Sequence, residues 1–480
     1  MSDRTSPPPQ MPPSDMLPPR GPSSRSSATP TVAHTLAILA DDLTGACDSA
    51  VPFARRGLVT RVLLAARPVL AGAAAPVDVV AVDADSRQVT RRLAVSRTSL
   101  AARALRTPGT ARLFKKVDST LRGHVGPELL ACLRAWDTPL AILCPAFPAT
   151  GRWVQGGELF VDGRGSIGGV AALASLPADR RTGYLGLPVL RAGTDAVSEA
   201  LEQLTRGGAR VVVADADTPG HLTALVEAAT RHATPVLLAG SGGLAGALAE
   251  WTVQDRRAAA GSSAGAAAWA PSLPGFVTSG DPFGPDRDDG PPWLVVVGSQ
   301  TEVTQHQVVE LARAGAAVLL LDVDELLARP SVALAAGHRA AALLRGDITP
   351  ILRLVVQPGA DGALSRGLRL DERAARGLAR AVCAAVERET PAGLFLTGGS
   401  TARAALLALG VDGLRLEGEP LPGVAAGVAF GGVWDGRPVI TKSGGFGAPD
   451  AIRRLVRPRS PGRVFLSAPR PAAGRTPPSA

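Results

Sequence analysis

The chain contains no asparagine, and only three of its 51 basic residues are lysines: Lys115, Lys116 and Lys442. Arginine supplies the positive charge everywhere else. A lysine ammonium is a compact charge that reaches one phosphate or carboxylate oxygen, whereas a guanidinium binds as a planar fork. The three lysines are therefore the first side chains to consider for a functional role.

Cysteine and aromatic residues are also scarce. The four cysteines lie far apart and form no CxxC pair: Cys47, Cys132, Cys144 and Cys383. This spacing argues against a disulfide framework and against a zinc site. Aromatic residues make up 4% of the chain, too few for a surface that stacks single-stranded nucleic acid. All apolar runs are shorter than a membrane span, so we expect no membrane partner. The scarcity of aromatic residues argues against a nucleic-acid partner, and the lack of a disulfide framework is typical of a cytoplasmic protein.

Positive charge is concentrated at the C-terminus. The net charge is +9, but residues 453–480 contain seven arginines and no acidic residue, so the rest of the chain carries only about +2. Basic, proline-containing tails are usually solvated, and we expect residues 467–480 to be disordered. Residues 1–33 are rich in proline, serine and arginine and lack the apolar run of a signal peptide, so we expect a disordered extension.

Two series of apolar strands alternating with amphipathic helices are separated by a segment rich in alanine, glycine, serine and proline. This alternation predicts two α/β domains with mainly parallel sheets and a ligand cleft between them. We place an N-terminal domain at 34–254, a linker at 255–291 and a C-terminal domain at 292–466. The predicted strands are 35–40, 61–64, 77–82, 112–116, 140–144, 210–214 and 235–239, then 293–297, 317–321, 352–356, 393–396 and 464–466. The predicted helices are one ending at 54, then 90–105, 127–135, 221–231, 244–251, 302–314 and 372–387.

Polar side chains follow three predicted strands of the N-terminal domain. Asp41 and Asp42 come directly after the first strand, and Arg87 lies in the turn after strand 77–82. The turn after strand 112–116 combines cations, a carboxylate and hydroxyls: Lys115, Lys116, Asp118, Ser119, Thr120 and Arg122. Because ligands of open α/β sheets bind at the carboxyl ends of strands, we expect this edge to bind an anionic, hydroxylated molecule.

Simpler interpretations of these turns stay open. Asp41 and Asp42 either contact a ligand hydroxyl or cap the following helix. Arg87 either grips a carboxylate through its fork or pairs with an aspartate of its own turn. Since successive strand residues point to opposite faces, only one of Lys115 and Lys116 is expected to reach the ligand.

The C-terminal domain has glycine- and hydroxyl-rich strand ends instead. They contain Ser299, then Gly398, Gly399, Ser400 and Thr401, and finally Lys442, Gly444 and Gly445. Glycines let backbone N–H groups approach phosphate oxygens, and the N-terminus of a following helix adds its dipole. These turns predict a nucleotide site, although GxxxxGK[ST] and a dinucleotide GxGxxG are both absent. The alternative is that the turns need glycine only for positive φ.

The two domains together have the layout of a small-molecule kinase, in which an anion- and hydroxyl-binding site faces a phosphate site. In this hypothesis Asp118 and Arg122 hold the substrate. Asp41 and Asp42 contact hydroxyls, and the pair supplies the base that takes the hydroxyl proton. Lys116 joins Asp42 and Asp118 as a catalytic candidate, and a reversal of the roles of Asp42 and Asp118 stays open.

Five motifs resemble the four-carbon acid sugar kinase family, which includes D-threonate, D-erythronate and 3-oxo-tetronate kinases. The motifs are ADDLTGA at 40–46, KKVDSTLRG at 115–123, PAFPATGR at 145–152, TGGSTA at 397–402 and KSGGFG at 442–447. The resemblance covers about residues 35–456, in the family's order and spacing. The form KVDSTLRG is more similar to the threonate and erythronate kinases than to the 3-oxo-tetronate kinases.

The resemblance implies an N-terminal sugar-acid domain and a C-terminal ATP domain. It implies transfer of the γ-phosphate of ATP, with Mg²⁺, to the terminal 4-hydroxyl of the acid. The positions that match the substrate side are Asp41 or Asp42, Arg87 and residues 116–119, and those that match the ATP side are Ser299, residues 398–401 and Gly444. A sugar acid and ATP are therefore the expected partners, and homo-oligomerisation stays open. The alternative function is a non-catalytic regulator that binds a sugar acid.

Overall fold

A computed structural model describes residues 36–65, 77–107, 109–179, 181–261, 292–355 and 368–456, in which strands and helices alternate as expected. The N-terminal half, residues 36–261, contains β1 (Leu36–Ala40), α1 (Leu43–Ala54), β2 (Thr60–Leu63), β3 (Val79–Asp83), α2 (Arg91–Leu105), β4 (Arg112–Lys116), α3 (Val125–Trp136), β5 (Leu140–Cys144), β6 (Arg152–Gln155), β7 (Glu158–Val161), β8 (Gly165–Gly169), α4 (Val170–Leu173), β9 (Thr182–Leu185), α5 (Leu187–Arg191), α6 (Thr194–Arg206), β10 (Val211–Ala214), α7 (Pro219–Arg231), β11 (Val236–Gly240) and α8 (Gly242–Gly261). The C-terminal half, residues 292–456, contains β12 (Leu294–Val297), α9 (Glu302–Arg313), β13 (Ala317–Asp322), α10 (Val323–Ala328), α11 (Pro330–Arg345), β14 (Pro350–Val355), α12 (Leu368–Val386), β15 (Leu394–Thr397), α13 (Gly399–Ala408), β16 (Gly413–Leu421), β17 (Val424–Phe430), β18 (Pro438–Lys442) and α14 (Ala451–Val456).

One mixed sheet runs through both halves and takes up 15 of the strands in the described residues. Its order is β13-β14-β12-β15-β18-β17-β16-β2-β3-β1-β4-β11-β5-β10-β9. Neighbouring strands are parallel except for the pairs β2–β16, β16–β17 and β17–β18. Apolar strands such as β1 are buried along their whole length, as is typical of parallel sheets covered by helices. The predicted α/β fold class is confirmed.

Strand register brings the predicted polar turns to one edge of the sheet. Ala40 at the end of β1 pairs with Asp83 at the end of β3, and Leu39 pairs with Lys115 near the end of β4. In the C-terminal half, β12, β15 and β18 end together in the same way. The turns that follow these strands are therefore neighbours in space although they are far apart in sequence.

The structure differs from the predicted organisation in three respects. Helix α8 runs to Gly261, beyond the predicted start of the linker at residue 255, and the sheets of the two halves are joined. Antiparallel strands β6, β7 and β8 form a separate small sheet that the sequence did not reveal, because short strands such as GSIGG in β8 have little β-propensity. The predictions for residues 1–33, 464–466 and 467–480 lie outside the described residues. Within the part of the chain that the structure describes, no helix has the length and apolarity needed to cross a membrane.

The two halves are joined along β2 and β16, which pair antiparallel. Leu63 lies opposite Gly413, and Val62 lies opposite Leu414. A Cβ atom on Gly413 would lie 2.3 Å from the carbonyl oxygen of Val62, so this approach of two backbones requires glycine.

A buried ion pair crosses the same junction. Nη1 of Arg403, on α13, lies 2.9 Å from Oδ2 of Asp83 and also donates a hydrogen bond to the carbonyl of Leu64. Burial raises the pKa of Asp83 to about 7, although Arg403 acts in the opposite direction. The charge of this carboxylate near neutral pH therefore depends on the guanidinium.

Replacing Arg403 should lower the stability of the fold by an amount that depends on pH. We expect Arg403→Met to lower the free energy of unfolding by about 3–5 kcal/mol at pH 8, because it leaves Asp83 buried without its cation. A carboxyl whose folded pKa exceeds its unfolded value of about 3.9 takes up a proton on folding between those two values. Protonation thus neutralises Asp83 at pH 5, and the loss of stability should be smaller there by at most about 1.4 kcal/mol, because pH 8 lies one unit above the folded pKa of about 7. Urea unfolding of the wild type and the variant at pH 5 and pH 8 measures this loss of stability.

A matched control is Arg329→Met, which removes an exposed pair with Glu325. That change should cost less than about 1 kcal/mol. An equal loss for Arg403→Met at pH 5 and pH 8 would contradict the role given to Asp83.

Candidate functional site

A cleft of about 950 Å³ lies at the carboxyl ends of the strands, and residues of both halves line it. The polar side chains from the N-terminal half include Asp41, Asp42, Asp48, Arg87, Arg97, Lys116, Asp118, Ser119, Arg122 and Arg152. The C-terminal half contributes Ser299, residues 398–401 and residues 443–446. Of the predicted site residues, Lys442 is the one that does not line the cleft.

Arg87 holds the carboxylates that follow β1. Its Nε and Nη2 atoms donate to the two oxygens of Asp41 at 2.8 Å each, and Nη1 donates to Asp42 at 2.6 Å. Nη2 also lies 3.8 Å from Oδ1 of Asp118. Burial acts to raise the pKa of Asp41, but Arg87 brings that pKa below its usual value. The fork of Arg87 therefore pairs with Asp41, where the sequence suggested a ligand carboxylate or an aspartate of its own turn.

Asp42 caps α1 and also faces the C-terminal half. Its Oδ1 accepts the N–H of Gly45 at 2.8 Å, and its Oδ2 accepts the hydroxyl of Thr44 at 2.9 Å. A Cβ atom on Gly399 would lie 2.6 Å from Oδ2 of Asp42. The carboxylate thus makes the predicted cap, and it sits directly against the beginning of α13.

Asp118 is held by its own turn. Arg122 donates to both of its carboxylate oxygens, at 2.7 and 2.9 Å, and the hydroxyl of Thr120 donates at 2.5 Å. Burial acts to raise the pKa of Asp118, but these donors together with Arg87 bring it well below its usual range. A carboxylate with so low a pKa stays ionised and is a weak proton acceptor.

The two adjacent lysines point in opposite directions, as predicted. Nζ of Lys116 reaches the cleft and lies 3.7 Å from Oδ2 of Asp48. Nζ of Lys115 instead lies 2.9 Å from Glu128, and both of these side chains are buried in the core. Lys116 is therefore the lysine available to a ligand.

Asp48 is a cleft carboxylate that the sequence analysis missed. It lies on α1 one helical turn after Thr44, and so on the same face of the helix. Burial raises the pKa of Asp48, and Lys116 partly offsets that rise. The helical spacing of Asp48 from the ADDLTGA turn was the sequence signal that could have identified it.

The N-terminus of α13 forms the centre of the C-terminal side. A Cβ atom on Gly298 would lie 1.8 Å from Oγ1 of Thr401, so the turn after β12 packs directly on this helix. Gly398 has a φ of +97°, which favours glycine, and no side chain caps the helix. The backbone N–H groups of the first turn are thus suited to bind an anion such as a phosphate.

Lys442 supports the neighbouring turn from beneath. Its Nζ donates to the carbonyl oxygens of Ser443 and Phe446, at 2.8 Å each. Burial lowers the pKa of Lys442 to about 8. The sequence suggested a direct phosphate contact, whereas the structure places this ammonium against backbone carbonyls, where it fixes the position of Gly444 and Gly445.

Gly444 contacts the turn after β12. A Cβ atom on it would lie 2.0 Å from Oγ of Ser299. Its carbonyl accepts hydrogen bonds from the hydroxyls of Thr301 at 2.7 Å and Thr304 at 2.9 Å. Three strand-end turns are therefore locked together around one end of the cleft.

Comparisons with known proteins divide the chain into the same two halves. Residues 36–248 match the family model of a sugar-binding N-terminal domain, and residues 294–452 match that of a nucleotide-binding C-terminal domain. A D-threonate kinase of Cupriavidus necator is 36% identical over 86% of this chain and 95% of its own length. A 3-oxo-tetronate kinase of the same organism is 30% identical over 89% of this chain and 98% of its own length. A solved structure from Salmonella typhimurium shares the fold, with a TM-score of 0.67, 23% identity, and coverage of 88% of this chain and 99% of its own.

Gly444→Ala should weaken nucleotide binding. The new methyl group cannot fit beside Ser299, so the turn must move away. We expect the affinity for ATP, measured by calorimetry, to fall about tenfold or more, which corresponds to about 1.4 kcal/mol. Gly418→Ala is the matched control, because a Cβ atom there meets nothing within 4 Å. An equal loss in both variants would contradict the assignment of this turn.

Proposed function

Because the chain belongs to the four-carbon acid sugar kinase family and is a phosphotransferase, we propose that it transfers the γ-phosphate of ATP to the terminal hydroxyl of a four-carbon sugar acid. D-Threonate and D-erythronate are the favoured acids, and 3-oxo-tetronate is a further candidate. The form of the KVDSTLRG motif and the 36% identity to a D-threonate kinase support this order.

One contact carries the proposal. The uncapped start of α13, which is suited to phosphate, lies against Asp42 at the carboxyl end of β1. A phosphate bound at that helix and a hydroxyl bound beside Asp42 would therefore meet at a single point of the cleft. Holding two reactants in that way, in a site rich in cations, supplies most of what phosphoryl transfer needs.

The N-terminal side would bind the acid. Lys116 and the exposed guanidinium of Arg122 provide positive charge for its carboxylate. Asp118 fixes Arg122, and Ser119 offers a hydroxyl to the same space. Asp42 is the proposed base, because the low pKa of Asp118 makes that carboxylate a poor proton acceptor.

The C-terminal side would bind the nucleotide. Residues 398–401, Gly444 and Gly445 surround the proposed phosphate position. The C-terminal lining also includes the apolar side chains of Val323, Leu354 and Leu407. An adenine ring suits such a surface, because ligand pockets combine apolar walls with a few polar groups.

The residues present fit a magnesium ion that arrives with the nucleotide. In the described ranges, no three His, Cys, Asp or Glu side chains form a group able to hold a metal. Mg²⁺ usually keeps several waters and takes one or two protein carboxylates beside the substrate phosphates. Asp48, which lines the cleft near Lys116, is suited to that position. An ion held there would neutralise phosphate charge.

Three aspartate variants separate the proposed roles. Asp42→Asn should lower kcat by about 10²–10⁴, the usual contribution of a positioned base, while calorimetry shows near-normal acid binding. Asp118→Asn should first weaken acid binding, because it releases Arg122. Asp48→Asn should raise the Mg²⁺ concentration needed for half-maximal activity and leave kcat at saturating Mg²⁺ within a few-fold.

A reversal of these effects would reassign the base. If Asp118→Asn abolishes kcat with KM unchanged while Asp42→Asn is fully active, the two residues exchange roles. Thermal unfolding of each variant serves as a control, since asparagine caps a helix about as well as aspartate and Asp42→Asn should therefore keep the cap of α1.

A thermal-shift screen tests the substrate class. The wild-type chain is mixed with C2–C6 sugar acids, with and without ATP and Mg²⁺. A true ligand at about 100 times its Kd should stabilise the fold by about 2.7 kcal/mol, and ADP release should follow with the same acid. Stabilisation without ADP release would favour the regulator instead, and neither response to any four-carbon acid would contradict the proposal.

A further inference from the structure

Arg152, the last residue of the PAFPATGR motif, has no part in the roles proposed above. It begins β6 in the N-terminal half and lines the cleft. Its guanidinium carbon lies 4.9 Å from the centre of the Phe446 ring, which belongs to the turn that Lys442 supports. This side chain therefore reaches from the sugar-binding side to the nucleotide-binding side.

The position of Arg152 is fixed before any ligand arrives. Its backbone exchanges two hydrogen bonds with Phe147, at 2.8 and 3.2 Å, and it pairs with Val161 across the hairpin. Its Nη1 donates to the carbonyl of Thr150 at 2.7 Å. A guanidinium held in this way needs little reorganisation to bind an anion.

Arg152 forms no ion pair with a described residue, although Asp118 and Asp48 lie near enough to act on its charge. The other cations that the N-terminal half contributes to the cleft each have a carboxylate within ion-pair distance: Arg87, Arg97, Lys116 and Arg122. Among the described residues, none provides such a carboxylate for Arg152, and its Nε is buried without a hydrogen-bond partner. Burial lowers the pKa of Arg152. An anion bound there would satisfy both the charge and the open donor.

The position selects which anion binds. A four-carbon acid has its carboxylate and its terminal hydroxyl at opposite ends, and the terminal hydroxyl must face the nucleotide. The carboxylate therefore points away from the C-terminal half. Arg152 leans on Phe446, two residues after Gly444, where the phosphate is proposed to lie. The phosphoryl group is therefore the anion that this position favours.

We propose that Arg152 binds the phosphoryl group during its transfer, donating from Nε to an equatorial oxygen. This inference rests on the proposed function. In the step, the terminal hydroxyl oxygen of the acid bonds to phosphorus, and the bond from phosphorus to the β–γ bridging oxygen breaks to release ADP. The hydroxyl proton goes to Asp42. Arg152 offsets the charge that spreads over the transferring oxygens, and it forms no covalent bond.

The test compares Arg152→Gln and Arg152→Lys with the wild-type chain. We expect Arg152→Gln to lower kcat about 10³-fold or more, the range for an arginine that contacts a transferring phosphoryl group. The Kd values for ATP and for the acid should stay within about threefold. The affinity for ADP with aluminium fluoride and the acid, a mimic of the transfer state, should fall in parallel with kcat. Arg164→Gln, an exposed arginine of the same small sheet, should match the wild type.

The outcomes separate this inference from the proposed function. Wild-type turnover with a sugar acid reports on the function, and the ratio of variant to wild type reports on Arg152. A normal kcat in Arg152→Gln, or a loss of acid binding without a selective loss of the aluminium fluoride complex, would overturn the inference. If Arg152→Gln fails to fold, Arg152→Lys retains the charge and most of the stem, and its kcat should still fall at least about tenfold because lysine lacks the planar fork.

Discussion

A single guanidinium allows three carboxylates to lie at one edge of the sheet. Arg87 donates to Asp41 and Asp42 at 2.6–2.8 Å and lies 3.8 Å from Asp118. Like charges this close in a partly buried site would otherwise repel and take up protons. At Asp83, by contrast, burial outweighs the pairing with Arg403 of the other half and raises the pKa of that carboxyl to about 7.

The cations of the cleft divide into two groups. Arg87 and Arg403 are committed to carboxylates, and Lys115 and Lys442 are buried and hold the framework in place. Lys116, Arg122 and Arg152 line the space that a ligand would fill on the N-terminal side, and Arg97, Arg376 and Arg380 line it as well. The proposed phosphoryl-binding role of Arg152 follows from its lack of an ion-pair partner among the described residues, since a cation already paired with the protein contributes less to binding an anion.

The sequence predicted most strands of the parallel sheet but not β9 or β18, because continuous apolar runs such as LAILA mark buried strands. The predicted site residues other than Lys442 line the cleft, since ligands bind where such strands end. It could not predict what each side chain contacts. Lys442 is the last residue of its strand, as Lys116 is, yet Lys442 does not line the cleft, since the turn folds back over its ammonium. Asp48 and Arg152 were missed because neither follows directly on a predicted strand.

The junction between the halves was missed for a different reason. β16 contains glycines and a proline, its alternation of apolar and charged residues is limited to residues 414–417, and its partner β2 is short. Only the approach of the two backbones at Gly413 shows why glycine is needed there. Pairing between strands far apart in sequence depends on tertiary contacts that composition does not record.

This junction also governs how accurately the two ligand-binding edges face one another. Side chains packed between two domains can shift by fractions of an ångström, but two hydrogen-bonded strands can shift against each other only by whole residues. A shift of β16 by one residue against β2 would turn Leu414 from the core to the opposite face, so that alternative is excluded by the apolar side chains themselves. The register that places Asp42 against the N-terminus of α13 is therefore a discrete quantity, set when the strands pair, and substitutions elsewhere in the interface have no intermediate register to select.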